Sequence, residues 1–248
     1  MNLGNHISEC LEKYKNGHSK LNEKALSMEG MVGAGARNLL NLLVGFEKCR
    51  YMQIGTWKGA CLYSALYNNN IEYAFACDNF CQYSAGHGCS FLQDGKIVSQ
   101  TNLVKDVMLR FMQPEEDEEI LEFEFYDGDC FGMPLKKVER PINVYFYDGG
   151  HSLADHFMSL YYFYPVLANE FIFICDDWPE ESVQNGTMAA IEYCNYTIKE
   201  QHVHENLFIA HLVKDPSWAI MKSLDIRGTK PTEKCKLDNK GIYTERIR

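Results

Sequence analysis

Basic residues are in deficit. The 248-residue chain holds 24 lysines and arginines against 34 aspartates and glutamates, a net charge of −10. It lacks the positive field that gathers phosphate backbones, so a nucleic-acid partner is not expected. Long apolar runs are missing too. Stretches such as Phe171-Ile172-Phe173-Ile174-Cys175 have the length of a buried strand, far short of the roughly 20 residues of a membrane span, and no membrane partner is expected. The opening residues, Met1-Asn2-Leu3-Gly4-Asn5-His6, show neither the cationic start nor the apolar block of a secretory leader. No internal repeat is visible, and the single charge run, at 115–119, reads as a solvated connection. The cysteines number ten but suggest no framework. Cys61, Cys77, Cys175 and Cys194 lie in apolar segments, where the thiol serves as a small hydrophobe, and Cys77, Cys81 and Cys89 lack a second cluster at zinc spacing. A cytoplasmic protein with free thiols is the expectation.

What is present is a globular composition, 46% hydrophobic and 23% charged, with an ordered alternation of elements. Residues 5–24 read as a polar helix and 33–47 as a helix with a broad apolar face. Strands are expected at 50–54, 72–77, 121–126, 142–147 and 171–175. Helices are expected from Gly59 to about Tyr67, over 97–112, from Ser152, and over 183–198; 207–213 and 218–223 are read as a closing strand pair. In Ser152-Leu153-Ala154-Asp155 a hydroxyl at the helix start meets a carboxylate three residues on, a capping box in acidic form. Strand and helix in alternation give an α/β fold, a mostly parallel sheet of seven strands with helices on both faces.

In such sheets ligands bind beyond the carboxyl ends of the strands. Here every strand end carries glycine or acid: Gly55-Thr56-Trp57-Lys58-Gly59, Asp78-Asn79, Asp127-Gly128-Asp129, Asp148-Gly149-Gly150-His151 and Asp176-Asp177-Trp178. Gly55 and Gly59 allow a tight turn into a helix N-terminus. They do not form the dinucleotide spacing G-x-G-x-x-G, and Trp57 and Lys58 crowd the place a pyrophosphate would take. A nucleoside without phosphate, such as S-adenosylmethionine (SAM), meets no such obstacle. Asp78 is placed to accept both ribose hydroxyls, and Asp129 the exocyclic amine of an adenine.

The run from Tyr51 to Ala60 resembles the first motif of class I SAM-dependent methyltransferases, and Ala76-Cys77-Asp78-Asn79 their second. Tyr147-Asp148-Gly149-Gly150-His151-Ser152, with Ile174-Cys175-Asp176-Asp177-Trp178, is similar to one branch. That branch holds small-molecule O-methyltransferases of the macrolide-sugar type and cephalosporin-hydroxylase-like proteins. The resemblance spans residues 29–223 and implies a Rossmann-like class I methyltransferase fold. It divides the chain into a helical segment over the cofactor mouth (1–48), a SAM-binding core (49–225) and a tail (226–248). It implies cofactor contacts from Gln53, Gly55, Thr56, Trp57, Gly59, Asp78, Asn79, Asp129 and Asp148, and from Met31 in a segment that lines the pocket in relatives. Gln53 departs from the family, which usually has an acid there.

Adjacent fourth and fifth strands would crowd Asp148, Asp176 and Asp177 into one space, at a cost unless a proton or cation compensates. An all-oxygen set suits Mg²⁺ or Ca²⁺ better than zinc; the resemblance implies Mg²⁺. A cation there would acidify an acceptor hydroxyl, with His151 as the base that takes its proton. Trp178 is the expected pocket wall, and the aromatics at 157–164 are expected in core or interface. The reading is thus SAM-dependent O-methylation of a small, sugar-like acceptor, with homo-oligomerisation allowed by the aromatic content. A non-catalytic binding module stays open because of Gln53; a nicotinamide oxidoreductase is disfavoured by the missing glycine.

Overall fold

The computed structural model describes residues 2–79, 91–93, 96–98 and 123–218. A seven-stranded sheet forms its centre, built from β1 (Cys49–Ile54), β2 (Ile71–Asp78), β5 (Phe123–Asp127), β6 (Ile142–Tyr147), β7 (Leu167–Cys175), β8 (Thr197–His204) and β9 (Leu207–Val213). Its order is β5-β2-β1-β6-β7-β9-β8. The first five of these strands run parallel, and β9 is antiparallel to both β7 and β8. Two short strands, β3 (Phe91–Gln93) and β4 (Lys96–Val98), make a separate antiparallel pair.

Alternation along the strands sends side chains to two cores. Tyr51, Val144, Phe146, Ile172, Ile174 and Ile209 face helices α1 (Leu3–Lys15), α3 (Ala34–Val44) and α4 (Ala60–Leu66). Met52, Tyr145, Tyr147, Phe173, Cys175 and Phe208 face α5 (Leu153–Phe163) and α6 (Glu181–Tyr193). Two buried tyrosine hydroxyls are spent on helix carbonyls: Tyr145 donates to Ser159 O (3.2 Å) and Tyr196 to Leu160 O (3.2 Å). The short helix α2 (Glu23–Ser27) is held from below by Arg37, whose guanidinium donates to the carbonyls of Ala25, Leu26 and Met28. The seven described cysteines are free thiols, all buried but the half-buried Cys130. No described helix is long and apolar enough to cross a membrane.

The capping box is formed as expected: Ser152 Oγ accepts from Asp155 N (3.1 Å), and Asp155 Oδ2 accepts from Ser152 N (3.3 Å). Four expectations are corrected. The N-terminal helix stops at Lys15, where Asn16 caps it and Gly17 turns at φ +76°. The helix over 183–198 ends at Tyr193, and from Thr197 the chain is strand β8. It is β8, not 218–223, that pairs with β9; Trp218 lies in a helical turn, and 219–223 fall outside the described residues. Ile97, expected to begin a helix, lies in β4, and the rest of 97–112 beyond Val98 is outside the described residues.

Candidate active site at the carboxyl edge of the sheet

Register brings the strand ends level. Ile54 lies opposite Cys77 on one side and Tyr147 on the other, and Tyr147 lies opposite Cys175. The next residues carry the ladder one step further: Gly55 N donates to Cys77 O (2.9 Å), Asp148 N to Ile54 O (2.9 Å) and Asp176 N to Tyr147 O (3.1 Å). Connections leave β1 toward β2 and β6 toward β7, so a crevice opens between β1 and β6, where strand order reverses.

That crevice is a cavity of about 760 Å³, within the range of small-molecule sites. Gly55, Thr56 and Trp57 form one wall, and Asp129, Cys130 and Phe131 another. Tyr147, Asp148, His151 and Asp155 also line it, as do the exposed Gly30 and Met31 and the half-buried Val32. Gly55 is indispensable here for a steric reason. It turns at φ +84°, and a Cβ on it would fall 1.7 Å from Asp148 O. Gly59, at φ +82°, precedes the first residue of α4.

Asp78 braces the loop opposite. Its Oδ2 accepts from Thr56 N (2.6 Å), Trp57 N (2.6 Å) and Thr56 Oγ1 (3.2 Å). Asp129 Oδ1 accepts from Phe131 N (3.1 Å), an Asx turn that shapes its own wall. Gln53 is placed behind the turn. It is wholly buried and is not among the lining residues. Its amide donates to Gly55 O (2.7 Å) and accepts from Tyr51 OH (2.8 Å), so it fixes the turn from behind. Asn79 lines the cavity, and Met31, 78% exposed, stands at its mouth.

Asp148, Asp176 and Asp177 each offer an oxygen within 4.8 Å of the others. Burial, then the charges of Asp176, Asp177 and Asp78, push the Asp148 carboxyl well above the usual range. Asp176 is pushed up to about 6, by burial first and then by the charge of Asp177, against a backbone N–H bond from Asp177 that lowers it. The three acids therefore hold more negative charge than their surroundings compensate, and their oxygen donors fit a hard divalent cation. His151 stands beside them, with Nε2 2.8 Å from Asp177 Oδ2 and Nδ1 3.2 Å from Glu180 Oε1. Glu180 was not foreseen, since only the turn at Asp177 (φ +54°) brings it back to the histidine. Trp178 is not a pocket wall; it stacks on Phe208, 4.0 Å between centroids at 13°.

No protein-family model matches this chain, and no curated protein matches it. Solved structures do. The O-methyltransferase NovP superposes with a TM-score of 0.54 at 12% identity, over 86% of this chain and 100% of that one. The O-methyltransferase TomG from Streptomyces achromogenes, involved in tomaymycin synthesis and solved in complex with SAM, superposes at 0.51 and 15% identity, over 87% and 100%. A putative RNA methyltransferase from Pyrococcus horikoshii, PH1948, gives 0.48 at 9% identity, over 85% and 98%. At such identities the likeness is one of fold. The chain has the Rossmann-like fold of the class I SAM-dependent methyltransferases, with the seven-stranded sheet complete.

Proposed function

We propose that this protein is a SAM-dependent methyltransferase that methylates a hydroxyl of a small, sugar-like molecule with the help of a divalent cation. One observation carries the reading: the glycine turn of Gly55, braced by Asp78, meets at a single cavity with Asp148, whose carboxylate lies within 4.8 Å of those of Asp176 and Asp177. Gly55, Thr56 and Trp57 would hold the nucleoside, with Asp129 available to the adenine amine and Asp78 to the ribose hydroxyls. Both O-methyltransferases above share the fold, which supports but does not by itself name the acceptor. The net charge of −10 favours a small molecule over a polyanion.

Asp148, Asp176 and Asp177 would hold Mg²⁺, which when bound acts as a Lewis acid that lowers the pKa of a nearby hydroxyl. The protein's own groups do the rest. Both ring nitrogens of His151 face carboxylates, so it serves as a base only when one of these bonds opens. The contact to Glu180 is the longer and its carboxylate the more exposed, 48% against 31% for Asp177. Opening it leaves Nε2–H bonded to Asp177 and Nδ1 ready to accept the acceptor's proton. The acceptor oxygen, its proton passed to Nδ1, would then attack the methyl carbon of SAM as the S–CH3 bond breaks and its electron pair returns to sulfur, releasing S-adenosylhomocysteine; the cavity's contribution is alignment and exclusion of water.

Calorimetric titration with SAM and with NAD⁺, each with and without MgCl₂, tests this. SAM binding without NAD⁺ binding, followed by loss of methyl transfer in His151→Ala, is the expected result. A protein that binds neither ligand is a binding module on a methyltransferase fold.

A further inference from the structure

The strap at the mouth of the cavity is tied down by charge. Residues 29–32 run between α2 and α3, and both ends are fixed. Upstream, Arg37 donates to Met28 O (3.2 Å); downstream, Gly33 caps α3. Between them Gly30 lies so close to α4 that a Cβ would come 2.6 Å from the Cβ of Ala60. Glu29, 63% exposed, forms an ion pair with Lys58. Lys58 is an unusual lysine, its side chain only 10% exposed and its ammonium 4.8 Å from the centroid of the Trp57 ring. Trp57 lines the cavity, and its indole Nε1 is buried without a hydrogen-bond partner. A single ammonium thus joins two walls, the strap and the indole.

We propose that residues 29–32 are a latched strap, and that the Glu29–Lys58 ion pair sets how fast the cofactor enters and leaves. The inference rests on the reading of the cavity as the cofactor site. The ion pair holds the strap against the Trp57 wall, and Met31, exposed and lining the cavity, stands where the cavity opens to solvent. Passage in either direction breaks the ion pair. An interaction made equally before and after binding contributes nothing to affinity and acts on the barrier alone. With Met28 and Gly33 as hinges, the strap swings without disturbing either helix. Lys58 is then a positioning residue, holding Trp57 and the strap in one closed arrangement.

The test is stopped-flow tryptophan fluorescence on mixing with S-adenosylhomocysteine, for the wild type and for Glu29→Gln, after calorimetry has established binding. Glu29 is exposed, so the substitution leaves folding intact. Association and dissociation rates are both expected to rise about threefold to fivefold in Glu29→Gln, with Kd held within about twofold. Added KCl should speed the wild type and leave the variant unmoved. Unchanged rates in the variant overturn the latch while the cofactor reading stands. Faster dissociation with weaker Kd also overturns it, since the strap would then be a binding wall. A wild type that fails to bind S-adenosylhomocysteine by calorimetry overturns both the latch and the cofactor reading.

Discussion

Alanine at Gly55 is the sharpest probe of how the two halves of the cavity meet. Two costs add there. An L-residue at φ +84° sits in the left-handed region, worth about 1–2 kcal/mol. The new Cβ also falls 1.7 Å from Asp148 O, and 2.6 Å from its carbonyl carbon, so the end of β6 must retreat. Forcing an extra carbon into a filled site costs about 1–3 kcal/mol, and the sum, about 2–5 kcal/mol, is a large part of a typical domain's stability. Gly17 supplies the control. It turns at φ +76°, but nothing lies within 4 Å of its Cβ position, so Gly17→Ala carries the backbone cost alone. Urea unfolding followed by circular dichroism should therefore separate the variants by about 1–3 kcal/mol, with Gly55→Ala the weaker. Equal midpoints and slopes for the two would refute the argument that contact with the Asp148 carbonyl is what demands glycine at 55.

Asp78→Ala removes the acceptor of three hydrogen bonds and strands two backbone N–H groups; a loss of SAM affinity of about tenfold or more is expected by calorimetry, with Asp78→Asn intermediate. Unchanged affinity would end the assignment of this loop to the cofactor. Asp176→Asn removes a carboxylate whose ionised form is disfavoured up to about pH 6. Above that pH the metal-free variant should melt higher than the wild type and gain nothing from MgCl₂, whereas the wild type should gain. Wholly buried His156 is held near 4 by burial, against an ordinary 6.5. The unfolded chain takes up a proton between those values that the folded one refuses. Stability is thus full above about pH 6.5 and falls as pH drops toward 4, by up to about 3 kcal/mol, a slope that His156→Gln should lose in urea titrations across that range.

What could be read from the residues follows from where information is local. A parallel strand buried on both faces is a continuous apolar run, so 142–147 matched β6 residue for residue, and the glycines and acids that follow such runs marked the cavity rim. The Ser152–Asp155 box is set by four consecutive residues and formed as expected. Strand β8 left no such trace. Thr197, Lys199, Glu200, Gln201, His202 and His204 put polar groups on both faces of an edge strand, whose existence depends on main-chain pairing with β9. Long-range pairs were equally illegible: Glu29 with Lys58, His151 with Glu180, Trp178 on Phe208. Gln53 shows the limit from the other side, since its place in the first motif was clear but its orientation, behind the loop instead of toward a ligand, is a matter of packing.

The buried thiols equip this protein to report its own opening. Cys10, Cys49, Cys175 and Cys194 are distributed over α1, β1, β7 and the end of α6, each at most 1% exposed and none lining the cavity. Burial also holds the thiols of Cys10, Cys49 and Cys175 protonated, Cys10 at about 11, so that a maleimide or disulfide reagent finds little thiolate to attack there. Alkylation at each position therefore waits for the surrounding element to come apart, and mass spectrometry of a labelling time course ranks those elements by the free energy of their release. Among the described residues four such reporters are built in, without a single engineered probe.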